Sequence, residues 1–197
     1  TATYDLNRIG RVKNHLVDNN KVDAALVHGN YTYLFSGDQY VRYSNDDYET
    51  VDDGYPKTLA SSFAGEVGLT HLDDAFHYGI DAALGTANGD MYLFKGKDYL
   101  KLDSADPKPQ AINKYWGKVY NQFVADANDT TIDAAFISPN GCLYAFKDGQ
   151  YIRYQASEQE FVDEGYPKLI RNNWGNLPPV FEQGIDGGFV FEGKTYL

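Results

Sequence analysis

The sequence predicts an all-β, four-bladed propeller on three observations. A unit of 52 to 58 residues recurs along the chain. Each copy holds short apolar and aromatic runs separated by turns rich in Gly and Asn. The final stretch repeats only the first half of the unit. Self-similarity at such a period marks radially or linearly arranged supersecondary modules.

The first copy reads "VDAALVHGNYTYLFSGDQYVRYSNDDYETVDDGYPKTLASSF" from Val22, and the second "IDAALGTANGDMYLFKGKDYLKLDSADPKPQAINKYW" from Ile80. The third reads "IDAAFISPNGCLYAFKDGQYIRYQASEQEFVDEGYPKLIRNNW" from Ile132, and the fourth opens at Ile185 with "IDGGFVFEGKTYL". Their lead aspartates, Asp23, Asp81, Asp133 and Asp186, are 58, 52 and 53 residues apart.

Within a copy, "DAALV" or "DAAFI" is a short apolar strand, and "HGN", "TANGD" or "SPNG" is the turn after it. An aromatic strand follows ("YTYLF", "MYLF", "CLYAF"), then a second turn. Next comes "YVRY", "YLKL" or "YIRY", which alternates like a half-buried strand. A weaker outer strand is expected around "ETVDDG" and "EFVDEG", with Pro56 and Pro167 where a short helix begins. Four strands and a helical turn per unit, four units around an axis, leave only short and protected sheet edges.

The fourth unit stops after "KTYL". The N-terminal "TATYDLNRIGRVKNHLVDNN" aligns with "YVRYSNDDYETVDDGYPKTLASSF", Tyr4 on Tyr43, while Thr195-Tyr196-Leu197 aligns on Thr32-Tyr33-Leu34. The expectation is one domain over 1–197 whose last blade is completed by both termini. Its parts are 1–21 (outer part of the split blade), 22–79, 80–131 and 132–184 (whole blades), and 185–197 (inner part of the split blade). Thr1 and Leu197 should then lie within the roughly 15–20 Å that five residues bridge.

A formal charge of −11, from 17 basic and 28 acidic residues, argues against nucleic acid and anionic membranes and favours cationic ligands. No apolar run reaches the roughly 20 residues of a membrane span. Thr1-Ala2-Thr3-Tyr4 shows neither a basic nor an apolar leader segment. Cys142 is the single cysteine, so packing and pairing rather than an internal disulfide must hold the fold.

The combination of "(I/V)DAA", "YLF.G..Y.RY" and "VD.GYPK" with a closing Trp, over nearly the whole chain, resembles the hemopexin repeat family. That family includes legume seed albumins of the albumin-2 type and hemopexin-fold lectins. The resemblance implies a four-bladed propeller with a central tunnel and no catalysis of its own, acting by binding haem, ions, polyamines, sugars or proteins. It also implies that the residue at the lead Asp position turns its backbone carbonyl to a tunnel cation. Carried over, the metal positions are Asp23, Asp81, Asp133 and Asp186, for calcium or sodium. The tunnel-lining or anion positions, where chloride fits, are Ala25, Ala83, Ala135 and Gly188. The chain departs from the pattern at "PKPQAINKYW" in the second unit and at "DGG" in the fourth, and it lacks the disulfide usual in animal members.

Other candidates are weaker. Haem ligation would need an axial imidazole in a dry pocket, and none of His15, His28, His71 and His77 recurs in the repeat. "HLDDAFH", holding His71, Asp73, Asp74 and His77, matches no zinc spacing and falls in the longest connection between units. "NDDYETVDDG" lacks the ligand spacing of a calcium loop and reads as a solvated face. "NYT" at Asn30 and "NDT" at Asn128 are sequons. Tyr33, Tyr92 and Tyr144 read as inter-blade core rather than sugar platforms. No hydrolase, metalloprotease, P-loop or dinucleotide motif occurs, so an enzyme is not expected.

The sequence therefore reads as a binding propeller for a small molecule such as a polyamine or haem, with a glycan-binding lectin or a docking module of a larger secreted protein as alternatives. It would be secreted or stored in soluble form, a cytoplasmic place also being compatible. A homodimer is an allowed assembly.

Overall fold

The computed structural model describes residues 21–44, 48, 50–86, 89–116, 131–155 and 162–197. Three antiparallel sheets of four strands and one of two follow each other in chain order. The first blade is β1 (Ala24–His28), β2 (Tyr31–Ser36), β3 (Gln39–Tyr43) and β4 (Lys57–Thr58). The second is β5 (Ala82–Gly85), β6 (Met91–Lys95), β7 (Asp98–Lys101) and β8 (Gln110–Ala111). The third is β9 (Ala134–Ile137), β10 (Leu143–Lys147), β11 (Gln150–Tyr154) and β12 (Lys168–Leu169). The fourth sheet holds β13 (Phe189–Phe191) and β14 (Lys194–Tyr196) in the register of β1 and β2, with Phe189 opposite Tyr196 as Leu26 is opposite Tyr33. The four innermost strands close a ring, each packing on the next and β13 on β1. This is the four-bladed architecture expected; the N-terminal half of the split blade lies outside the described residues.

Pleating explains why the blades stack. Side chains along a strand alternate between faces. Tyr33, Phe35 and Tyr40 therefore point one way from the first blade, and Leu93 and Leu100 of the second blade meet them in a shared cluster. Tyr92, Phe94 and Tyr99 in turn meet Ala145 and Ile152 of the third blade. Tyr144, Phe146 and Tyr151 share a cluster with Val190 and Leu197 of the fourth. Each aromatic face is filled by one large residue from the turn after the outer strand. Phe63 stands edge-on to Tyr33, Phe35 and Tyr40 at 5.2 to 6.0 Å. Trp116 does the same to Tyr92, Phe94 and Tyr99, and Trp174 to Tyr144, Phe146 and Tyr151. The atypical "PKPQAINKYW" thus still forms an outer strand, a helical turn over Ile112–Tyr115 and a ring plug.

Two local expectations are corrected. The outer strand lies at Lys57–Thr58 and Lys168–Leu169, after the prolines, rather than around "ETVDDG" and "EFVDEG". There the carboxylate of Asp52 accepts from Arg42 Nε (2.6 Å), Ser44 N–H (3.0 Å) and Ser44 Oγ (2.7 Å), and this bends the chain back instead of extending it. Asp163 repeats this with Arg153 and Gln155. Pro56 and Pro167, each following a cis peptide bond, precede the outer strand and do not begin a helix. The helical turns of the first blade start at Leu59.

One network in the first blade has no counterpart among the described residues of the other blades. Glu66 lies mostly buried and accepts hydrogen bonds from Tyr40 (2.9 Å), Tyr55 (2.6 Å) and Lys57 (2.7 Å), with Arg42 at 3.9 Å. Burial pushes the Glu66 carboxyl up, but the bonds from Lys57, Tyr55 and Tyr40 outweigh it and hold it below the ordinary carboxylate value. The ionised network therefore adds stability above the unfolded pKa of Glu66, and that stability is lost as pH falls through the lower folded value.

Two sets of variants test these contacts. Glu66→Gln should cost about 2 kcal/mol at neutral pH, less than the roughly 3–5 of a fully buried pair because Lys57 reaches solvent. The gap to the parent chain should shrink as thermal unfolding is repeated in acid; a constant gap would show that the charge is not what matters. At Gly85 an added Cβ would stand 2.6 Å from the Val27 carbonyl oxygen, whereas at Gly65 it would meet nothing within 4 Å. Gly85→Ala should lower stability by about 1–3 kcal/mol in urea, and Gly65→Ala should leave it equal or raise it by up to about 1 kcal/mol.

Candidate functional site

The axis of the ring is the one place where all four sheets meet. A cavity of about 60 Å³ lies there, lined in part by Ala25 and Val27 of β1, Ala83 and Gly85 of β5, Ala135 and Ile137 of β9, and Gly188 and Val190 around β13. These residues are two apart on every strand, the pleat face that looks inward, and Leu84, Phe136 and Phe189 between them also reach the cavity. At Gly188 smallness is a steric requirement, since a Cβ there would sit 2.7 Å from Phe136 Cδ1, whereas one on Gly187 would make only ordinary contacts, among them the Asp23 backbone oxygen at 3.8 Å.

The lead aspartates stand immediately before these strands. The backbone N–H groups of Asp23, Asp81 and Asp133 donate to the carbonyls of Phe35, Phe94 and Phe146 at 2.8, 2.9 and 2.9 Å. Their carboxylates accept from the N–H of Gly37, Gly96 and Asp148, each at 2.7 Å, pinning the turn between the second and third strands of the blade. Lys21 pairs with Asp23 at 2.7 Å and Lys95 with Asp81 at 2.6 Å. Asp186 is exposed, just before β13.

The charges feel one another across the axis. Asp23 raises the Lys21 ammonium through a hydrogen bond and its charge, and Asp186 and Asp81 add to the effect. Burial pushes the Asp133 carboxyl up, the Asp148 N–H opposes this, and the negative charges of Asp148 and Asp186 add to the rise. Three of the four carboxylates are thus engaged by turn N–H groups, and a cation on the axis would be met chiefly by main-chain oxygens. Small residues, strands in close approach and an aspartate shortly before each inner strand are compatible with such an ion. The cavity is far below the roughly 300–1,000 Å³ of ordinary small-molecule pockets and does not fit haem.

The other candidates are scattered. His28 ends β1, half-buried, while His15 and Asn128 lie outside the described residues. Asn30 is exposed in the turn after β1, and Cys142 is buried and free. Asp52 of the acidic run is bonded, as described, and Asp53 is exposed. Tyr33, Tyr92 and Tyr144 lie in the inter-blade clusters, and among the described residues the most exposed tyrosines are Tyr31, Tyr78 and Tyr115. No described helix is long and apolar enough to cross a membrane.

Comparison with known proteins names the repeat. The hemopexin family model matches residues 22–65 and 132–179, the first and third units. These two units are hemopexin-type repeats. Macrophage metalloelastase of Rattus norvegicus is 33% identical over 122 residues, which is 60% of this chain and 24% of that protein. The hemopexin-type chain thus spans about a quarter of the length of this curated relative. The seed albumin LS24 from Lathyrus sativus superposes with a TM-score of 0.62 at 22% identity, covering 87% of this chain and 78% of its own. A plant lectin from Cicer arietinum, described as having two metal binding sites, gives 0.60 at 23% identity over 78% and 69%. These likenesses establish the hemopexin fold.

Asp133 offers a direct test of the turn role. Its raised pKa means that the ionised form disfavours folding. The stability linked to the protonated form is full below the unfolded pKa and is lost as pH rises through the folded one. In chelator at neutral pH, Asp133→Asn should therefore be at least as stable as the parent, since its amide oxygen still accepts the Asp148 N–H. Asp133→Ala should lose about 1 kcal/mol. Equal losses in both variants would mean the negative charge itself is needed.

Proposed function

We propose that this chain is a non-catalytic ligand-binding propeller whose tunnel holds a cation, calcium or sodium, on main-chain oxygens beside Asp23, Asp81, Asp133 and Asp186. The observation that carries the reading is the closed ring of inner strands around a small cavity, with an aspartate shortly before each of those strands. The ion would tie four blades together at their closest approach. Chloride at the level of Ala25, Ala83, Ala135 and Gly188 belongs to the same reading.

The ligand class that suits the rest of the molecule is a small cation such as a polyamine, favoured by the net charge of −11. A secreted or stored soluble protein, in the manner of the seed albumin it resembles in fold, is the setting this implies. A second reading is a carbohydrate-binding lectin. It is supported by the Cicer arietinum lectin neighbour and by Tyr78, 78% exposed, whose ring is free to stack on a sugar. Hemagglutination blocked by a simple sugar would establish the lectin reading, and saturable spermine binding without agglutination would establish the first.

For the tunnel ion, Ca²⁺ or Na⁺ should raise the melting temperature of chelator-treated protein in a saturable way. An ion at 100 times its Kd adds about 2.7 kcal/mol, or roughly 5–10 °C for a domain of this size. Mg²⁺, which dehydrates reluctantly and demands a tight octahedron, should do much less. No shift with either Ca²⁺ or Na⁺ would leave the four aspartates a structural role alone.

A further inference from the structure

The connection between the first and second blades, Gly68–Gly79, carries a cluster that recurs nowhere else in the repeats. Leu69, Leu72, Phe76 and Ile80 are buried and pin it to the core. Thr70 ties it to the second blade, its N–H and Oγ1 both donating to the Ala105 carbonyl at 2.8 and 2.9 Å. Asp73 accepts from the Ala75 N–H at 3.0 Å and caps a single 3₁₀ turn over Asp74–Phe76. In that geometry residues three apart eclipse one another. Asp74 and His77 are so related across the turn, and His71, three residues before Asp74 in the segment leading into it, comes alongside them.

Their ligand atoms converge. Asp74 Oδ1 lies 3.8 Å from His71 Nε2 and 3.6 Å from His77 Nδ1, and one donor atom from each residue falls within 4.8 Å of the others. A tetrahedral zinc with bonds of about 2.0–2.1 Å needs donors roughly 3.4 Å apart, so side-chain rotation alone closes the set. The decisive contact is behind the cluster. His77 Nε2 lies 2.9 Å from the Leu72 carbonyl, which can only accept, so the proton sits on Nε2 and the Nδ1 lone pair faces Asp74. A metal-bound histidine is held in the same way, its second ring nitrogen donating to a carbonyl or carboxylate. His77 is the fixed member, with its side chain 19% exposed. His71 and Asp74, at 55% and 86%, have the freedom to close on an ion.

We infer that His71, Asp74 and His77 form a binding site for a divalent transition-metal ion of the zinc class, with three protein ligands and an open position for water or a further donor. Two imidazoles select zinc, nickel or copper over calcium and magnesium, which take oxygen ligands. The site shares no residue with the tunnel and does not depend on a cation there.

The test is calorimetric titration of Zn²⁺ into the full chain after chelator treatment, with excess Ca²⁺ present to occupy any oxygen site. One equivalent should bind. Affinity should fall at least tenfold in each of His71→Ala, Asp74→Asn and His77→Gln, with melting temperatures in the absence of zinc unchanged for the two exposed positions. The double variant His15→Asn/His28→Asn should bind as the parent does. Co²⁺ should give visible absorption of a low-coordinate site that is lost in His71→Ala. No zinc binding by the parent, undiminished affinity in His71→Ala and His77→Gln, or loss of binding in the His15/His28 variant would each overturn the assignment.

Discussion

Four strands converging on one axis leave no space for side chains beyond a methyl at their closest level, and much of the molecule is arranged around that limit. Gly188 faces Phe136, and Gly85 lies almost on the Val27 carbonyl. Ala25, Ala83 and Ala135 hold the equivalent level on the other three strands. With little to bury at the axis, each blade takes its stability from the outward part of its faces, where tyrosines and phenylalanines of one sheet meet aliphatic residues of the next. Phe63, Trp116 and Trp174 fill what would otherwise be wedge-shaped gaps widening away from the axis. Dense ring contacts at 5 to 6 Å are the form such packing takes when the elements diverge.

The same convergence brings the lead aspartates near one another, and the fold answers by giving most of their carboxylates other work. Each of the first three accepts a turn N–H, and two are paired with lysine. A carboxylate so engaged is a weaker direct ligand but still a source of field. In the proposed reading the two would act differently on an axial ion, the aspartates attracting it and main-chain oxygens coordinating it.

Repetition decides what the sequence reveals. Three or four equivalent copies make the strands β1–β3 and their counterparts legible, together with the tunnel-facing alanines and the closing ring of each blade, because a pattern seen several times outweighs a local ambiguity. The outer strand was misplaced because "VD.G" reads as an apolar run ahead of a turn. Its aspartate in fact accepts from Arg42 or Arg153, ten residues earlier, a contact that spacing does not disclose. Glu66 was invisible for a different reason. Its partners Tyr40, Tyr55 and Lys57 come from two strands and a turn, and the third blade has Leu177 at the corresponding position. His71, Asp74 and His77 match no zinc pattern built for α-helices or finger loops; the 3₁₀ turn sets Asp74 beside His77, and the segment before it brings His71 alongside.

What recurs and what occurs once serve different ends. A repeated residue answers a demand that each blade makes equally, such as small size at the axis or an acceptor for the turn, and substitution there disturbs the scaffold. A polar cluster present in a single blade answers no such demand, so the ring would close without it. The histidine pair sits on the connection that joins two blades, where the backbone is already fixed by Leu72, Phe76 and the Thr70 bonds to Ala105. Ordering its ligands therefore costs little beyond the side chains themselves. A rigid, non-repeating connection on a repeating scaffold is where a propeller of this kind can take on selectivity without weakening the ring.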